Sequence, residues 1–138
     1  MLIFHVQHDG GPGDILCKGS IDWQHHPAVA PKAGEPVIEK RHSSAFHATN
    51  FHNQLQEAAI DRLVIAGMQT EYCIDSACRA AAALGYKVVL VSDAHTTFDS
   101  PVMKADRIVE HHNRTLSDRF VELSASNEIQ FKISGKIR

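Results

Sequence analysis

Short apolar runs alternate along the chain with stretches whose apolar residues recur every three or four positions. Leu2-Ile3-Phe4-His5-Val6 is the first run and reads as a strand, ended by the turn-rich Asp9-Gly10-Gly11-Pro12-Gly13-Asp14. Residues 8 to 35 hold most of the Gly and Pro and show no period, which predicts a long ordered loop of the kind that usually carries function. Pro36-Val37-Ile38-Glu39-Lys40 is a second strand. Thr49 or Asn50 is placed to cap a helix with Phe51, Leu55, Ala58 and Ala59 on one face.

The second half has a stronger pattern. Arg62-Leu63-Val64-Ile65-Ala66 is continuously apolar after its first residue, as expected of a strand covered on both faces. A helix then opens near Cys73, with Ile74, Ala77, Cys78 and Ala81 inward, Asp75 and Arg79 as an i,i+4 pair, and Gly85 as its C-cap glycine. Lys87-Val88-Val89-Leu90-Val91 is another buried strand. Ser100-Pro101 fits the N-cap and first position of a helix carrying Ala105, Ile108, Val109 and Leu116, and Ile129-Gln130-Phe131 reads as a last short strand. Strands alternating with helices at this spacing predict an α/β fold on a parallel sheet. Such sheets bind ligands at the carboxyl ends of their strands, here Asp9, Lys40, Gly67 to Cys73 and Asp93.

Composition narrows the function classes. A length of 138 residues suits one domain, and 43% hydrophobic with 22% charged residues suits a soluble one. The net charge of -2 argues against a nucleic-acid partner. No apolar run is long enough to span a membrane and no leader pattern opens the chain. Three cysteines cannot close a disulfide framework, which fits a reducing, cytoplasmic setting. The ten histidines keep a metal in view, yet none falls into a ligand motif, and the loop Asp22 to Pro27 with His25 and His26 is weak on its own. No metal or other cofactor is therefore expected.

Cys73 is the first candidate for chemistry. At a helix N-terminus it meets the positive end of the macrodipole and free amides, which favour thiolate and can hold an oxyanion. A small hydrophobe at a helix start is the competing reading. Lys40 is either a solvated surface residue or, if its strand lies near Cys73, a stabiliser of negative charge on the sulfur. Cys17 and Cys78 read as structural.

Glu39-Lys40-Arg41-His42-Ser43-Ser44-Ala45-Phe46, Leu63 through Asp75, and Lys87 through Ser100 with Ser92-Asp93-Ala94-His95-Thr96-Thr97-Phe98 resemble the isochorismatase-like cysteine hydrolases along the whole chain. The resemblance implies a three-layer α/β/α sandwich on a mainly parallel sheet. It implies catalytic roles for Cys73 and Lys40, a cis peptide at Met68–Gln69, and an oxyanion hole from the amides of Gln69 and Cys73. The family's Asp-Lys-Cys triad also needs an Asp in an Asp-x-Gln first strand, and that Asp maps onto nothing here. The chain begins at what resembles the second strand, so the family's βα unit of about 30 residues is expected upstream, left out by a truncated gene model or start-site error, the second explanation being a short, non-catalytic relative. Asp9 and Asp14 are the nearest acids and neither matches the motif position. His8-Asp9-Gly10-Gly11 stands where nicotinamidases carry a metal-binding Asp-x-His, which favours the metal-free amidase branch.

The expected activity is hydrolysis of a small amide or related C–N bond through a thioester, with Trp23, Phe46 and Tyr72 lining the pocket or merely packing. The chain lacking the triad Asp is expected to be impaired. The alternative is a catalytically inactive paralogue serving as a binding or assembly subunit. The expected partners are a small-molecule substrate and further copies of the chain, with specificity in the loop 8–35 or a neighbouring subunit. In-frame sequence upstream of Met1 encoding an Asp-x-Gln strand would favour the enzyme.

Overall fold

The computed structural model of the protein describes residues 1–131 and is a mixed α/β fold with parallel sheets. Its strands are β1 (His5–His8), β2 (Val37–Lys40), β3 (Arg62–Met68), β4 (Lys87–Thr96) and β5 (Glu122–Ser124). Its helices are α1 (Phe51–Glu57), α2 (Asp75–Ala83) and α3 (Ala105–Ser117), with a π-helical turn over Thr70–Ile74 running directly into α2. None of the described helices is long and apolar enough to cross a membrane.

The strands form two sheets. β1 pairs with β2, and β3, β4 and β5 pair in that order, all parallel. No ladder joins β1 to β3. Between them lies a slot of about 270 Å³, walled on one side by Leu2, Ile3, Phe4 and Val6 and on the other by Arg62 to Ala66. This corrects the expectation that the strand at 62–66 is covered on both faces. β4, in the middle of its sheet, has Val88, Val89, Leu90 and Val91 all buried, whereas Val64 of β3 is 40% exposed. An apolar run reports what a strand can be covered by, and β3 is a sheet edge.

Other elements shift for local reasons. The first ladder runs over His5–His8 rather than 2–6, because pairing starts where His5 meets Val37. α1 ends at Glu57, leaving Ala58 and Ala59 exposed beyond it, with Ala59 turned to a positive φ of 53°. Asn50 occupies its N-cap position, but the Thr49 hydroxyl takes the Phe51 N–H at 3.3 Å. Ser100-Pro101 does not start α3. Ser100 Oγ accepts from the Val102 and Met103 amides in a preceding turn, and the Asp99 carboxylate caps the helix at the Ala105 N–H, 2.8 Å away. The last strand among the described residues is β5; Ile129 to Phe131 lies outside any strand.

Two apolar clusters hold these elements together. Ile74, Cys78, Ala81, Val88, Leu90, Leu116 and Val121 pack α2 and α3 on β4, while Ile38, Ala45, Phe51 and Leu55 pack α1 under β2. Phe46, Leu63 and Tyr86 touch both. Leu90 is fully buried at the centre of the first cluster. Leu90→Ala is therefore expected to cost about 2–5 kcal/mol, read as a lowered midpoint in denaturant unfolding. A loss below about 0.5 kcal/mol would mean that this cluster is not the core.

Candidate active site

The β1–β2 register sets His8 beside Lys40, so their side chains leave the same face of the ladder as neighbours. Lys40 is 5% exposed. Its Nζ donates to the His42 carbonyl at 2.9 Å, to His8 Nδ1 at 3.2 Å and to Cys73 Sγ at 3.2 Å. Three donor hydrogens thus meet three acceptors, and among the described residues no carboxylate forms an ion pair with this ammonium. Lys40 is therefore not the solvated surface residue of the first reading: it is buried against the thiol.

Cys73 sits in the π-helical turn, a different position from the simple first turn the pattern suggests. Gln69 is extended and its carbonyl accepts the Tyr72 and Ile74 amides at 3.2 and 3.1 Å, so the chain turns tightly from β3 into α2. The Met68–Gln69 peptide is cis. A buried relay fixes this turn from behind. Asn113 Nδ2 donates to the Ser92 carbonyl, so its Oδ1 accepts from His95 Nε2 at 2.8 Å, and His95 Nδ1 accepts the Thr70 hydroxyl at 2.9 Å. Sequence reading missed this relay and the contact of His8 with Lys40. Both depend on which residues face one another across strands and helices 18 to 32 positions apart, and no local pattern encodes that.

The nearby acids are engaged elsewhere. Asp9 accepts the Gly11 and Lys18 amides and the Arg41 guanidinium, and these bonds, led by that of Gly11, hold its carboxyl below the usual carboxylate range. Asp14 accepts the Leu16 amide inside the same loop, where a Cβ at Gly10 would strike the Asp14 side chain. Asp93 ties β4 to the segment after β5 through Ser126. The loop 8–35 is anchored partway along by Lys18 on Glu39 and at its far end by Glu35 on His5.

A cavity of about 320 Å³ opens beside the thiol, lined by His8, Trp23, Lys40, Met68 and Cys73 among others. Trp23 belongs to this lining. Phe46 packs between the two core clusters and borders the slot, and Tyr72 is 56% exposed and outside the lining. Cys78 is buried in the core, where desolvation and then Asp75 push its thiol up to about 12. Cys17 is partly exposed in the loop. Among the described residues no group of three or more His, Cys, Asp or Glu side chains converges as metal ligands.

Residues 1–128 match the isochorismatase domain model. A streptothricin hydrolase of Streptomyces noursei is 32% identical over 129 residues, covering 94% of this chain and 46% of its own length. A maleamate amidohydrolase of Pseudomonas putida is 38% identical over 66 residues, 48% of this chain and 31% of that protein. The crystal structure of an isochorismatase from Pseudomonas putida superposes with a TM-score of 0.87 at 28% identity, covering 94% of this chain and 69% of that one. The chain spans about half the length of the curated relatives it matches.

Proposed function

Since the chain belongs to the isochorismatase family of hydrolases, we propose that it carries the thiol half of a cysteine hydrolase that cleaves a small amide or related C–N bond. The observation that carries this reading is the 3.2 Å contact between the buried Lys40 ammonium and Cys73 Sγ. A fixed cation beside a sulfur at a helix entrance stabilises negative charge there and along the path of attack. The sulfur adds to the carbonyl carbon, and the amides of Gln69 and Cys73 receive the oxyanion, a role implied by family likeness. Collapse breaks the C–N bond and leaves a thioester, and the departing nitrogen takes up a proton. Water then adds to the thioester, releasing the acid and the thiol. The 320 Å³ cavity supports a small-molecule substrate.

Among the described residues no carboxylate is bonded to Lys40 or Cys73 to protonate the leaving nitrogen, since Asp9 is bound within its loop. That observation favours a second reading, an inactive paralogue that binds without turning over. A carboxylate from a strand seated between β1 and β3 would complete the first reading.

Iodoacetamide labelling followed by peptide mass mapping tests the nucleophile. Cys73 is expected to react at least about tenfold faster than Cys17 at neutral pH, with Cys78 nearly inert. Equal labelling of Cys73 and Cys17 at the rate of a free thiol would remove Cys73 from the mechanism.

A further inference from the structure

We infer that His8 is a positioning residue for Lys40, holding its ammonium on the Cys73 sulfur only while the imidazole Nδ1 carries no proton. The inference rests on the reading of Cys73 as the nucleophile. An ammonium donates and never accepts, so the 3.2 Å contact from Lys40 Nζ requires a lone pair on His8 Nδ1 and assigns the ring proton to Nε2. The His42 carbonyl takes the second hydrogen and the sulfur takes the third. His8 is thus one of three acceptors that fix the direction of a buried cation, and a buried cation keeps its place only where its hydrogens are met.

A proton on Nδ1 would remove that acceptor and set a second positive charge against the first. One of the two side chains must then turn away, and the sulfur loses its partner. The groups around His8 come from three directions. Lys40 on β2 and His42 just beyond it disfavour the imidazolium, while Asp9 and Asp14 in the loop after β1 favour it. Burial is the largest of these influences and, with Lys40, pushes the imidazole down from its ordinary value. Thiol reactivity is therefore expected to survive mild acidification and then to fall with a second ionisation, separate from that of the sulfur.

The test is the pH–rate profile of iodoacetamide alkylation at Cys73, from about pH 4 to about pH 9, in wild type, His8→Asn and His8→Leu. Asn offers an acceptor near the Nδ1 position and does not titrate; Leu offers none. Wild type is expected to show the extra acid-side step. His8→Asn is expected to recover most of the neutral-pH rate without that step, and His8→Leu to be slower by about tenfold. Superimposable profiles for the three proteins overturn the inference. Nitrogen NMR of the wild-type imidazole gives a readout independent of the thiol: an Nε2–H tautomer at neutral pH supports it and an Nδ1–H tautomer overturns it. If Cys73 labels no faster than Cys17, the nucleophile reading fails, and the NMR result still decides the His8–Lys40 contact. If Cys73 labels fast and the His8 variants change nothing, only this inference fails.

Discussion

A p-nitrophenyl ester is expected to acylate Cys73 in a burst of about one nitrophenolate per chain, and Cys73→Ser is expected to abolish the burst. Nitrophenolate leaves without a proton, so the ester needs only the sulfur, the Lys40 ammonium and the oxyanion amides. The matching anilide makes a different demand, because its nitrogen must be protonated as the C–N bond breaks. With no carboxylate bonded to Lys40 or Cys73 among the described residues, anilide turnover is expected to be about 10²–10⁴-fold below that of a chain supplied with the acid. A chain with an Asp-x-Gln strand seated between β1 and β3 should have that factor, and changing its Asp to Asn should remove it while leaving the ester burst. Spectrophotometric release of nitrophenolate and nitroaniline reads both reactions. Equal efficiency on anilide with and without the added strand would show that another group, such as His8, supplies the proton.

The slot between β1 and β3 gives the second large effect. Two sheet edges face one another there with no ladder between them, and Val6 and Val64 are 41% and 40% exposed. Free edges with apolar side chains invite pairing with another chain. The 138-residue protein is expected to associate with rising concentration in sedimentation velocity, and Val64→Lys, which charges the β3 edge, is expected to reduce that association. A strand seated in the slot would add several backbone hydrogen bonds at about 1 kcal/mol each and raise the melting temperature by on the order of 10 °C. A monomer at all concentrations, unchanged by Val64→Lys, would mean the edges are already protected.

How far the sequence could be read depended on whether the deciding contact was local. Lys87 to Val91 is legible because four consecutive apolar residues need cover on both faces, and β4 has it. Leu63 to Ile65 carries the same signal but lies at an edge, since neighbours in a sheet are not written in the strand itself. Glu122-Leu123-Ser124 has one apolar residue in three and joins a sheet only through its ladder with β4. The Asp75–Arg79 pair falls out of helix spacing and is present at 2.8 Å. Cys73 and Lys40 were recognisable as residues by their place after strands and by family likeness. Their contact spans 33 positions, and His8 meets Lys40 across 32 through a register that only pairing defines.

That register has a geometric consequence. His8 and Lys40 ride on the two-stranded sheet and Cys73 on the three-stranded one, so the 3.2 Å from Nζ to Sγ is measured across the seam between two separately hydrogen-bonded bodies. The amine and the thiol act as the jaws of a caliper. Alkylation of Cys73 is thus a gauge of how the two sheets sit, and substitutions along the seam can be ranked by it even in a protein that turns over no substrate.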